Sequence, residues 1–161
     1  MICLMQIKCA GTKERREYNM NLIEFRIAYS IVMEHYQFIE MHLEGIYAAL
    51  SGSGFYEGLK EVEKYNISRI IIVIQEQEKR HNKRVILDSE YEDLKSIYQR
   101  RNFWTHSCYT NMVFDRKTGG PKKENDIKQL YQDTRSAEQM RELLFEKKIK
   151  LMEIIRDNHT F

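Results

Sequence analysis

From Asn21 to Leu50 the apolar residues recur at helical spacing. Phe25, Val32, Ile39 and Ile46 lie seven apart, and Tyr36, Leu43 and Leu50 repeat that interval beside them. Together they form one apolar stripe, as on a core-facing helix. The pattern predicts a helix of roughly thirty residues, long enough for a bundle. "SGSGFYEG" (51–58) then breaks the pattern and predicts a loop.

Residues 59–81 contain "ISRIIIVIQEQEKR", rich in β-branched side chains that suit a strand. The run continues into Gln, Glu, Lys and Arg, which form helices readily. No second strand candidate exists to pair with it, and a lone strand is not stable. The prediction is therefore helix. The next helix should start at Asp88 or Ser89, with Glu92 three residues after Ser89 as in a capping box. Tyr91, Leu94 and Tyr98 follow at helical spacing. "DRKTGGPKKEND" (115–126) predicts a polar loop, and a last helix carries Leu130, Met140, Leu144 and Leu151 from Ile127 to Ile155. The expected fold is all-α, an up-and-down bundle of about four long helices.

Composition supports this reading. The chain has 161 residues, one Pro and seven Gly, so helix breakers are scarce. That length suits a single domain over 20–161. Charge is uneven along it. Residues 21–66 hold three basic and seven acidic side chains, net −4, while residues 67–123 hold twelve basic and seven acidic, net +5. A basic central third suits a polyanionic partner, although a solvated helix face accounts for the same charges.

Cys3, Cys9 and Cys108 form no CxxC pair and leave one odd, which excludes a disulfide framework and a zinc site. The expected location is a reducing cytoplasm. "IIIVI" (70–74) is too short to span a bilayer, so no membrane partner is expected. Residues 1–19 form an N-terminal extension. "KERREYNM" (13–20) can be encoded by a purine-rich stretch resembling a bacterial ribosome-binding site ahead of Met20. The extension is therefore expected to be a mis-assigned start, or poorly ordered.

The densest chemistry lies in "RRNFWTHSCY" (100–109), which holds two arginines, an Asn, the only Trp and a His within seven residues. On an ideal helix Asn102 and His106, four apart, share a face. Arg101 and His106 are five apart and diverge by roughly 140°. Three routes would join them: a long reach by Arg101, a local distortion of the helix, or a second subunit. A plainer reading has Trp104 anchoring the core while Arg101 and Asn102 hydrogen-bond a helix end.

The order Arg-Asn-x3-His near the end of an internal helix resembles the HEPN superfamily, whose hallmark is Arg, four to six residues, then His, often with a polar residue after the Arg. Here these are Arg101, Asn102 and His106. "EHYQFIEMHLEGIYAAL" (34–50) looks like the family's first long helix. "YEDLKSIYQRRNFWTHSCYTNMVF" (91–114) looks like small bacterial members with an RNYWxH core. The resemblance covers roughly residues 20–115. It implies a HEPN-like bundle and a metal-independent endoribonuclease, often a toxin or phage-defence enzyme. Its site would form at a homodimer interface and use no cofactor. RNA is then the substrate, and a cognate antitoxin or defence-system protein a further partner. Some HEPN domains lack nuclease activity, so the competing function is a non-catalytic helical module that binds RNA or a protein.

The residue types suit such chemistry. Histidine titrates near neutrality and can serve as base or acid. Guanidinium is a permanently charged, fork-shaped donor for phosphate oxygens. Asn102 could hold a phosphate or orient His106, and Tyr109 offers a supporting hydroxyl or simply packing. Two basic clusters are candidates for RNA backbone: Lys79, Arg80, Lys83 and Arg84 around His81, and Arg116, Lys117, Lys122 and Lys123 in the loop after the motif. His35 and His42 have no third ligand in view and are read as helix-surface or core residues, so no metal site is expected.

Overall fold

The computed structural model describes residues 20–158. The N-terminal extension therefore lies outside the described residues. Within them the protein is an all-α helical fold with no strand.

Helix α1 spans Leu22–Leu50. Asn21 caps it: its Oδ1 accepts the Ile23 and Glu24 amides at 2.9 and 3.0 Å, and the Glu24 carboxylate accepts the Asn21 amide at 2.8 Å. This reciprocal arrangement satisfies donors that a helix start leaves open. The stripe read from the sequence is buried throughout, from Phe25 to Leu50.

The loop after α1 is shorter than the sequence predicts. Only residues 51–54 are irregular, and α2 (Phe55–Val62) begins inside the expected loop. Gly58 explains the difference. It is buried, and a Cβ there would meet the Ala48 Cα at 2.7 Å, so this glycine lets two helices touch rather than ending one. The helix expected over 59–81 is likewise divided at 63–66, and α3 (Ile67–Arg80) starts at an Asn66 cap.

Helix α4 spans Asp88–Asn102. Its start differs from the expected box: Glu90, not Glu92, reaches back to the amide of Leu87 at 2.6 Å, while Glu92 pairs with Lys95. A π-helical turn, Phe103–Ser107, and the short α5, Cys108–Asn111, continue the chain. Helix α6, Glu124–Asn158, starts three residues earlier and ends three later than its apolar pattern.

Chain direction alternates. α2 doubles back on α1, α4 runs against α3 through Glu78–Tyr91, and α6 runs against α4 through Glu90–Lys147 and Arg100–Asp133. α1 and α6 consequently run parallel, with His42 beside Lys148 and Ala49 beside Ile155. One core joins all the long helices, with Trp104 among its fully buried side chains. The loop before α6 straps over the start of α1, where Leu22 donates to the Thr118 carbonyl at 3.0 Å. Among the described residues no helix is long and apolar enough to cross a membrane.

Candidate functional site

The motif straddles the end of α4 and the π turn. A π turn closes i→i+5 hydrogen bonds and so takes up an extra residue. The 140° divergence of Arg101 and His106 on an ideal α-helix narrows across such a turn. The helix is thus locally distorted at the motif, but Arg101 and His106 make no contact with each other among the described residues: the guanidinium meets Glu40 and the imidazole is exposed.

Tertiary contacts hold the turn open. Trp104 is fully buried, and its indole N–H donates to Asp133 Oδ2 at 2.7 Å. Its carbonyl accepts the Tyr29 hydroxyl at 3.3 Å and the Cys108 thiol at 3.0 Å. The Thr105 hydroxyl takes the Arg101 carbonyl at 2.8 Å. Side chains thus occupy carbonyls that a regular ladder would use, a recognised cause of helix distortion. Burial pushes the Cys108 thiol pKa up, as it does the Tyr29 phenol, so both stay protonated donors.

Arg101 is half-buried, and its guanidinium lies 3.6 Å from Glu40 on α1. It pairs with a side chain across the bundle rather than with a helix end. Asn102 is also half-buried. The Tyr98 phenol, one turn before it, meets Ser68 of α3 and Asn102, and these polar contacts lower its pKa. His106 is exposed, and among the described residues it makes no hydrogen bond or ion pair. It is not stacked under Trp104, the arrangement that a purely structural role would favour.

Tyr109 packs. Its ring stacks on Phe114 at 5.7 Å and meets Phe25 and Tyr29 edge-on. Those ring contacts fasten α5 to the start of α1, while the residue remains more than half exposed.

The two basic clusters are not brought together within the chain. Lys79, Arg80, Lys83 and Arg84 sit where α3 passes to α4, and all but Arg80 line a cleft of about 410 Å³. Arg84 there is paired with Asp88. The motif lies at the other end of α4, roughly 20 Å away at the helical rise. Arg116, Lys117, Lys122 and Lys123 are all exposed, in the loop that follows the motif. That loop is shaped by Asp115, whose carboxylate accepts the Thr118 and Lys117 amides at 2.9 and 2.8 Å and is held below the usual carboxylate range by them.

Sequence reasoning missed Glu40, Tyr98 with Ser68, and the Arg100–Asp133 pair. Arg100 and Arg101 are neighbours with no local feature to separate them, yet Arg100 makes 2.7 and 2.8 Å contacts to the buried Asp133. His35 and His42 are buried on α1, the core option of the two that the sequence left open. Burial, Lys148 and Arg141 bring the His42 pKa down to about 4. Among the described residues no three His, Cys, Asp or Glu side chains converge as a metal site would require. The chain matches no protein-family model, no curated protein and no solved structure.

Proposed function

We propose that the chain is a metal-independent endoribonuclease of HEPN type. The observation that carries this is His106: an exposed imidazole, without a partner among the described residues, on a π turn anchored by the buried Trp104. Arg101 and Asn102 end the helix that leads into that turn. π turns inside α-helices occur frequently at functional sites.

The reaction needs one group to take the proton of the 2′-OH. The 2′-oxygen then attacks phosphorus, and the bond to the 5′-oxygen breaks as a second group protonates it. The products are a 2′,3′-cyclic phosphate and a 5′-hydroxyl. His106 supplies the base, and His106 of a second copy supplies the acid. Arg101 faces the charge that builds on the phosphate oxygens. Asn102 holds phosphate or orients the imidazole.

A second reading, a non-catalytic helical module that binds RNA or protein, draws on the Arg101–Glu40 pair, which engages the arginine inside the chain. The test is cleavage of single-stranded RNA in EDTA by the purified protein beside His106→Ala. The nuclease reading expects cyclic phosphate ends and a loss of about 10²–10⁴ in rate for the variant. Arg101→Lys should also be damaging, because an ammonium lacks the planar fork. A folded wild type that cleaves no RNA between roughly pH 5 and 9, the range over which histidine titrates, favours the second reading. An unchanged rate in His106→Ala points to a contaminating nuclease or another site.

A further inference from the structure

Two adjacent arginines end α4, and their partners differ in kind. Arg100 is clamped: two of its nitrogens reach one oxygen of a carboxylate that is only 7% exposed. Arg101 meets Glu40 through a single nitrogen at 3.6 Å, and both side chains are about a third exposed (30% and 27%). A single-contact pair at this distance, only partly buried, contributes little. A phosphate, by contrast, can take two parallel N–H donors from a guanidinium. The Arg101 pair is therefore the weaker of the two and the one an incoming anion can replace.

Glu40 also has acidic neighbours. The Glu44 carboxyl is pushed up by burial and by Glu40 and Glu63. Arg101 is the cation that Glu40 meets in this acidic group. An anion that takes Arg101 leaves Glu40 uncompensated beside Glu44.

We propose that Glu40 occupies the phosphate seat of Arg101 in the free protein and is displaced by the RNA backbone, so that it sets affinity for the ligand. Glu40 is then a positioning residue, acting through Arg101 and touching no reacting atom. The inference rests on the assignment of Arg101 to phosphate in the nuclease reading.

The experiment measures binding, not turnover. A 2′-O-methyl oligoribonucleotide, which lacks the attacking hydroxyl, is titrated at low salt and followed by fluorescence anisotropy. Wild type, Glu40→Gln, Glu40→Ala, Arg101→Ala and Glu40→Gln/Arg101→Ala are compared after matching their melting curves. Both Glu40 variants should bind roughly two- to fivefold tighter than wild type, the range set by a weak ion pair near the surface. The gain should vanish when Arg101 is already Ala, since no seat remains to compete for. An equal gain in the Arg101→Ala background would mean general charge repulsion and overturn the proposal. Unchanged or weaker binding by Glu40→Gln and Glu40→Ala, or no binding by any form, would also overturn it. A protein that shows the expected pattern yet cleaves no natural RNA keeps the Glu40 inference and loses only the catalytic reading.

Discussion

Asp133 of α6 accepts the Trp104 indole N–H at 2.7 Å through the same oxygen that Arg100 contacts. Its other oxygen accepts the Gln129 amide at 2.9 Å. One buried carboxylate thus fixes both the last turn of α4 and the first residues of the π turn. Removing it leaves Arg100 without its counter-charge and the buried indole N–H without an acceptor. Arg100 is about a third exposed and can be rehydrated, so the cost is mainly that of the unsatisfied buried indole N–H, about 1–3 kcal/mol, still a sizeable share of the stability of a typical domain. Asp133→Ala should lower the urea midpoint accordingly, whereas His106→Ala, at an exposed site, should leave it nearly unchanged. Equal midpoints for Asp133→Ala and wild type would show that the network is not structural.

The buried histidines predict a pH dependence of stability. His42 has a folded pKa of about 4 against an ordinary value of 6.5. Its neutral form is favoured in the fold, so between those values the unfolded chain binds the proton more readily. Stability therefore falls as pH drops from about 6.5 to about 4, and this group adds no further loss below that. His35 is shifted the same way by burial and Arg141. Urea midpoints at pH 7, 5.5 and 4.5 should decline in wild type and decline less in His42→Gln. Parallel declines in the two proteins would remove His42 as the cause.

Much of the fold is legible because it depends on local pattern. The α1 stripe is a seven-residue interval, and every member of it is buried. Gly58 misleads because its role is a contact with Ala48, a fact about two helices rather than one. The motif residues stand together in the sequence, so Arg101, Asn102 and His106 can be picked out. Glu40 cannot, since it lies on α1, far upstream, among other glutamates on that helix. The π turn is equally hidden: it follows from Trp104 meeting Asp133 and Tyr29, none of which is a neighbour in sequence.

A symmetric dimer is expected from the chemistry proposed. Each chain offers one histidine in the motif, and acid–base cleavage needs two groups. An isologous interface would set residues 98–109 near the axis and bring the two His106 side chains to one cleft. Sedimentation at micromolar concentration should give about twice 19.5 kDa. A monomer under those conditions, in a protein that still cleaves RNA, would mean that one chain holds a complete site.

The two basic clusters should contribute unequally to RNA binding. Arg116, Lys117, Lys122 and Lys123 are exposed on the loop that follows the π turn, at the same end of the molecule as His106. Lys79, Arg80, Lys83 and Arg84 lie at the far end of α4, roughly 20 Å from Arg101, and Arg84 is already paired with Asp88. A strand seated at His106 passes the first cluster before it reaches the second. Each phosphate contact on a single strand contributes about 0.7 to the slope of log affinity against log salt. Replacing Arg116, Lys117, Lys122 and Lys123 with Gln should reduce that slope by up to about 3 and weaken binding of a short oligonucleotide. Replacing Lys79 and Arg80 should leave both nearly unchanged, and His81→Ala should spare the cleavage step. A larger loss from the Lys79 and Arg80 changes than from the loop changes would place the RNA path along the opposite end of the bundle and separate it from His106.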